Sequence, residues 1–160
     1  MSEQSSNTPL RIPPYSEEAE RGVLGSILLD ASRVLDLCVE SGLSTPESFY
    51  VPAHRTFYGV LQQMSSRGEV IDMLTVLERL RAENLLDAVG GAAFLEKLVD
   101  ATPTAAHAEY YIDIVRQKAL LRRAIDCARE IEGQWFAQEA SADQIVAPEE
   151  QYIEDPNATI

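Results

Sequence analysis

Residues 104–137 contain no proline and only one glycine, Gly133. Nothing in this stretch forbids a continuous helix, which would be on the order of 50 Å long at 1.5 Å per residue. Positions spaced by alternating steps of three and four residues form a seam along it, the spacing of a contact between two helices. The seam consists of Tyr111, Ile114, Lys118, Leu121, Ile125, Ala128, Glu132 and Trp135. Apart from the polar Lys118 and Glu132 it is apolar, so the helix is expected to pack against a partner helix.

The other faces of this helix carry charges of balanced sign, which we expect to face solvent. They are Arg116, Arg122, Arg123 and Arg129 against Glu109, Asp113, Asp126 and Glu130.

The partner helix could come from the chain itself. Asp143 could cap a returning helix, but Pro148 would break it. Residues 138–160 also carry six acidic side chains and no basic ones. We therefore predict one arm of a helical hairpin at 104–137, followed by an acidic return segment and linker of weak order at 138–160.

Residues 13–103 show the spacing of shorter amphipathic helices. Apolar side chains recur every three or four residues in five segments, and each segment is bounded by a residue that commonly starts or ends a helix. These residues include Ser16, Asp30, Pro52, Asp72 and the pair Gly90-Gly91. No apolar run is bounded by a hairpin dipeptide such as Asn-Gly. The sequence thus predicts an all-α fold, with a flexible arm at 1–12, a compact head of about five helices at 13–103, and the long helix after it.

Two glycines lie inside the first predicted helix, at Gly22 and Gly25. Glycine weakens a helix, so this spacing favours the close approach of another backbone, with a bent or frayed helix as the alternative. The apolar surroundings of Cys38 and Cys127 predict buried, inert thiols.

Several kinds of chemistry are disfavoured by the composition. Thirteen basic and 26 acidic residues give a net charge of -13, which repels nucleic-acid phosphates. Neither a G-x-x-x-x-G-K-[ST] nucleotide loop nor a G-x-S-x-G nucleophile turn occurs. His54 and His107 have no neighbours at metal-ligand spacing, so capping or surface roles are expected for them. With no apolar run near the ~20 residues of a membrane span and a polar N-terminus, we expect an intracellular protein without a membrane partner.

Seven segments occur together in a fixed order. They are I-P-P-Y-S-E-E-A-E-R-G-V-L-G-S-I-L-L-D at 12–30, F-Y at 49–50, H-R-T-F-Y at 54–58, I-D-M-L-T-V at 71–76, L-L-D-A-V-G-G-A-A-F-L-E-K-L at 85–98, T-P-T-A-A at 102–106 and Y-Y-I-D-I-V-R-Q-K-A-L-L-R-R at 110–123. In this combination the chain resembles the N-terminal domain of the DnaB-type replicative DNA helicases over residues 12–136.

The resemblance implies a helical head and a long hairpin that form a collar on a hexameric ring, assembled as a trimer of dimers. It implies docking of primase, a response to a helicase loader, and contact with DNA only through the complete ring. A bacterial cytoplasmic location at the replication fork in the nucleoid follows. ATP and Mg²⁺ are implied for a RecA-like C-terminal motor that is missing here, and no cofactor is implied for this chain.

The resemblance also implies which residues meet partners. Phe94, Ile125 and Ile131 match places where family members offer apolar surface to primase, with intramolecular core as the alternative. Together with the seam, this gives a candidate set for primase docking or self-association: Phe94, Tyr111, Ile114, Leu121, Ile125, Ile131 and Trp135. Either the sequence ends inside the hairpin and linker, or the chain is a freestanding adaptor that has kept the collar fold without the motor.

Overall fold

The computed structural model describes residues 11–138, and the regular structure within them is helical throughout. The α-helices of this part of the chain are α1 Glu17–Leu29, α2 Ala31–Glu40, α3 Pro52–Ser66, α4 Met73–Ala82, α5 Leu86–Val89, α6 Ala92–Ala101 and α7 Ala108–Ala137. Single turns of 3₁₀ helix occur at Pro46–Ser48 and Ala105–His107. The predicted all-α fold is confirmed. The predicted arm at 1–12 and return segment at 138–160 lie almost entirely outside the described residues.

The chain divides into two compact units, with the boundary between Arg122 and Arg123. The described part of the first unit holds α1 to α6 and the first half of α7, while that of the second is the rest of α7. The core of the first unit is built from apolar side chains of all these helices. Its largest fully buried members include Tyr58, Phe49, Phe57, Leu24, Ile27, Leu43, Leu61 and Met64.

Local signals set several of the helix ends. The Ala19 amide donates to Ser16 Oγ over 3.2 Å at the start of α1, which confirms that predicted cap. Asp72 and Thr75 form a reciprocal capping box at the start of α4. The cap predicted for α2 is wrong, because the Asp30 carboxylate accepts a 2.8 Å bond from Arg33 Nε and binds no amide of the helix.

Both glycines of α1 mark close contacts, and the predicted approach of another backbone is found at Gly25, whereas Gly22 faces a side chain. A Cβ atom on Gly25 would lie 2.7 Å from Thr102 Cβ and 2.8 Å from the Leu98 carbonyl oxygen, so only glycine lets α1 and α6 approach this closely. A Cβ on Gly22 would lie 2.6 Å from the ring of Tyr111 on α7. The first helix is therefore the element on which α6 and α7 pack.

Some predicted burial is not observed. Val39 on α2 and Leu74 on α4 belong to the apolar segments from which the helices were predicted, but they are 58% and 65% exposed, because each lies beyond the edge of the stripe that meets the core. Cys38 is buried as predicted, whereas Cys127 is exposed, because it lies in the second unit, where no side chain of the described residues is buried. The long helix begins at Ala108 instead of 104, since the Thr104 hydroxyl accepts the Ala106 amide at 3.1 Å and leads into a 3₁₀ turn.

Candidate docking surfaces

The first half of α7 packs against the head. Its buried residues are Ala108, Ile112, Val115 and Ala119, which follow one another at steps of four, three and four. The seam predicted from the sequence runs beside this stripe and does not include it. Its first two members, Tyr111 and Ile114, are partly buried against the core. In the first unit, the head thus supplies the packing partner for which a second helix was expected.

Beyond Ala119 the apolar residues of α7 are exposed. Leu121 and Ile125 are 50% and 36% exposed, and Leu121 lies about 200° around the helix from the buried Ala119 at 100° per residue. In the second unit, a shallow concavity is lined by Ala128, Ile131, Glu132, Trp135 and Phe136, and we call its four apolar members, all except Glu132, the α7 apolar surface. Ile131, Trp135 and Phe136 are more than half exposed. An exposed apolar patch of this kind commonly marks a protein-binding site.

A second candidate surface surrounds Phe94, which the structure places apart from the seam, on α6. Gly90 ends α5 with φ 104°, and Gly91 follows at φ 75° and ψ -175°, a conformation open almost only to glycine. The chain then turns into α6, and Phe94 is the third residue of that helix. The Gly-Gly pair therefore fixes where the Phe94 side chain, which is half-buried, meets the surface.

A buried carboxylate lies beneath this region. Glu20 is 1% exposed and His54 2% exposed, and His54 Nδ1 lies 2.7 Å from Glu20 Oε2. The same carboxylate accepts the amide of Tyr50 and, at 3.3 Å, that of Val51. Tyr50 and Val51 are the last two residues before α3, with Val51 at its N-cap position. Glu20 thus holds the segment that leads into α3 from a different helix.

The role predicted for His54, capping or surface exposure, is therefore wrong. Glu20 is buried because it shares the inner face of α1 with Ala19, Val23 and Leu24. Only part of the signal was present in the sequence. An acidic residue within the apolar stripe of one helix implies that its carboxylate finds donors inside the fold, but it does not show which donors.

Arg122 is the last residue of the first unit. Its guanidinium donates to the carbonyl oxygens of Pro14 and Ser48, each over 2.8 Å, and lies 5.6 Å from the centre of the Tyr50 ring. The Tyr50 ring in turn lies against the Tyr15 ring, with their centres 4.4 Å apart and their planes tilted by 30°. The prediction that Arg122 faces solvent is wrong, because α7 is still packed on the head at this residue.

The two cysteines differ in reactivity. Burial raises the pKa of Cys38 to about 12, an effect only partly offset by a hydrogen bond with Tyr58. Thiolate, and not thiol, is the nucleophile, so Cys38 is inert at neutral pH. We expect iodoacetamide at pH 8 to add one label to the native chain, at the exposed Cys127, and a second only after denaturation. Intact mass and peptide mapping check this, and labelling of Cys38 at the rate of Cys127 would contradict it.

None of the helices described is long and apolar enough to cross a membrane. Among the described residues, no cluster of three or more His, Cys, Asp or Glu side chains is placed to hold a metal ion.

Fold and surfaces together define the class of protein: an all-α domain whose exposed apolar residues lie mostly on one long helix, an arrangement typical of domains that bind other proteins. Residues 12–117 match the family model of the DnaB-like helicase N terminal domain. The chain is 39% identical over 136 residues to the replicative DNA helicase DnaB of Geobacillus stearothermophilus, covering 85% of this chain and 29% of that protein. The chain belongs to the DnaB-like helicase N-terminal domain family.

Further comparisons agree. The replicative DNA helicase DnaC of Bacillus subtilis (strain 168) is 36% identical over 143 residues, which cover 89% of this chain and 31% of that protein. The crystal structure of the N-terminal domain of DnaB helicase from Mycobacterium tuberculosis matches with a TM-score of 0.75 and 35% identity, covering 90% of this chain and all of that one. The chain thus spans about a third of the length of its full-length relatives.

Proposed function

We propose that this chain serves as the N-terminal collar of a bacterial replicative helicase, taking part in ring assembly and in docking primase. The observation that carries the proposal is the α7 apolar surface, together with membership of the family. A structure of a DnaB-like replicative helicase and its interactions with primase shares the fold, with a TM-score of 0.63 at 23% identity. We extend that protein's interaction with primase to this chain.

Self-association is the second part of the proposal. Ile131, Trp135 and Phe136 expose large apolar side chains on one helix, and removing that area from water would stabilise a complex by roughly 25 cal/mol per Å². A pair of identical surfaces related by a two-fold axis is the commonest way for a chain to bury such a patch. Dimers formed in this way would be the units of the trimer of dimers, and a helicase loader would meet the assembled ring.

The proposal assigns the remaining activities to the complete helicase. ATP and Mg²⁺ would act in a motor domain, and DNA would be contacted through the full ring, since this chain carries a net charge of -13. The place of action would be the replication fork in the bacterial cytoplasm.

A charge placed on the α7 apolar surface tests both associations. We expect Ile131→Glu to weaken self-association and primase binding by tenfold or more, because the buried carboxylate would cost at least ~1.4 kcal/mol. Light scattering over a concentration series should give a mass above 17.7 kDa for the natural chain and a value near 17.7 kDa for the variant. Isothermal titration calorimetry with primase from the same organism measures the affinity for primase.

Arg129→Glu is the matched control. It introduces the same side chain two residues earlier on the same helix, at an exposed position outside the apolar surface. Both variants should keep the helical circular dichroism of the natural chain. A natural chain that remains monomeric and does not bind primase, or an Ile131→Glu variant that associates as tightly as Arg129→Glu, would count against the proposal.

A further inference from the structure

The ring of Phe94 rests on two buried rings of α3. Its centre lies 5.7 Å from that of the His54 imidazole at an interplanar angle of 28°, and 5.6 Å from that of Phe57 at 86°. One contact is stacked and the other is edge-on, and both geometries are favourable for aromatic pairs. His54 and Phe57 are 2% and 0% exposed, so neither can move aside. The partly exposed Phe94 ring therefore packs on two side chains that are held in place by their burial.

The orientation of the imidazole is fixed in turn. His54 Nδ1 is bonded to Glu20 Oε2, and the Glu20 carboxylate is held by the backbone amides of Tyr50 and Val51. Because two backbone amides and one ring nitrogen meet a single buried carboxylate, the plane of the imidazole is tied to the backbones of α1 and α3. The Phe94 ring stacks on that plane.

Gly90 also limits the space around the Phe94 side chain. A Cβ atom on Gly90 would lie 3.3 Å from Phe94 Cβ, so the glycine leaves just enough room for the phenylalanine at this point. The side chain is thus confined by the imidazole, by Phe57 and by the backbone of the Gly-Gly turn.

We propose that His54 is a positioning residue for the Phe94 docking surface: the imidazole, oriented by Glu20, holds the Phe94 ring in the conformation that meets the partner. The inference rests on the proposed docking of primase, and it takes Phe94, a candidate residue from the sequence, as a second point of contact beside the α7 apolar surface. A side chain that is already ordered loses less conformational entropy on binding. Loss of the imidazole therefore weakens docking about two- to tenfold without removing any group that touches primase.

Two substitutions distinguish the contribution of the His54 ring from that of its hydrogen bond to Glu20. His54→Gln keeps a donor for Glu20 but removes the ring under Phe94, and His54→Phe keeps a ring but removes the bond. With 4-fluorophenylalanine at position 94 of the full chain, we expect one ¹⁹F resonance shifted by the imidazole. The shift collapses towards that of the unfolded chain in His54→Gln, and it is only partly retained in His54→Phe, whose ring no bond to Glu20 orients. An unchanged resonance in a folded His54→Gln variant overturns the inference.

The natural chain provides a test that does not depend on a variant folding. Nuclear Overhauser effects between the His54 and Phe94 ring protons are expected, and their absence from the folded chain overturns the inference as well. Circular dichroism identifies any variant that fails to fold.

The binding measurement distinguishes this inference from the proposed function. Phe94→Ala should weaken primase binding, and His54→Gln should weaken it less and have no further effect in the Phe94→Ala background. If Phe94→Ala binds normally, Phe94 is not a docking residue and the inference is overturned, while the comparison of Ile131→Glu with Arg129→Glu still decides the proposed function. If Phe94→Ala weakens binding but His54→Gln does not, the proposed function stands and the inference is overturned.

Discussion

Replacing Glu20 with alanine is expected to lower the free energy of unfolding by about 3–5 kcal/mol, because it removes one partner of a buried polar cluster and leaves the others without an acceptor. His54 Nδ1 and the amides of Tyr50 and Val51 all bind this carboxylate. Since His54 is 2% exposed, water cannot replace the lost bond without opening the packing between α1 and α3. Urea unfolding followed by circular dichroism measures the effect, and the urea dependence should keep its slope.

The control for this experiment is Glu18→Ala, on the same helix. Glu18 is exposed, and we expect its removal to change stability by no more than about 0.5 kcal/mol. Glu20→Gln should fall between the two, because the amide oxygen can still accept one bond. If Glu20→Ala costs less than 1 kcal/mol, the carboxylate does not hold the start of α3.

A double-mutant cycle identifies the pair itself. Glu20→Ala and His54→Phe remove opposite ends of one hydrogen bond, so their combined cost should be smaller than the sum of the two separate costs by about 0.5–3 kcal/mol. Additive costs would indicate that the 2.7 Å contact contributes nothing to stability.

The helices and several of their ends, though not the cap of α2 or the start of α7, were predictable from the sequence because their signals are local. Ser16 and Asp72 bind amides three residues ahead of them, and periodicity alone shows which residues of α1 and α3 face inward. The close contact at Gly25 could also be foreseen, since a glycine in a helix costs stability and calls for a compensating approach. What lies opposite Gly25, namely Thr102, could not be read from spacing.

The polar contacts at the candidate sites depend on residues far apart in sequence. Glu20 meets His54 from 34 residues away, and Arg122 meets Pro14 from 108 residues away. Helical periodicity places such side chains on a face but does not pair one face with another. The same limit explains the seam of α7: steps of three and four fit both the predicted seam and the buried stripe through Ile112 and Val115. Only the position of the head decides between them.

Gly25→Ala is the second substitution with a large expected effect on the free energy of unfolding. Helix propensity and steric contact act in opposite directions, and their difference decides whether the substitution stabilises or destabilises the fold. Alanine favours a helix over glycine by about 1 kcal/mol. Against this, the new Cβ would lie 2.8 Å from the carbonyl oxygen of Leu98, a backbone atom of α6 that cannot rotate away. Forcing extra volume into packed interiors costs about 1–3 kcal/mol, and the contact with a backbone atom places this site at the upper end of that range. After the gain of about 1 kcal/mol from alanine we expect net destabilisation of about 2 kcal/mol, measured by urea unfolding.

Gly133→Ala serves as the control, because it makes the same chemical change inside α7 where nothing lies within 4 Å of the new Cβ. It should leave stability unchanged or raise it by up to about 1 kcal/mol. Adding Thr102→Ala to Gly25→Ala removes the contact with the Thr102 hydroxyl but not the contacts with Thr102 Cβ and the Leu98 carbonyl oxygen, so rescue should be partial. Full rescue would mean that α1 and α6 can separate freely, and a stabilising Gly25→Ala would mean that their close approach does not require glycine.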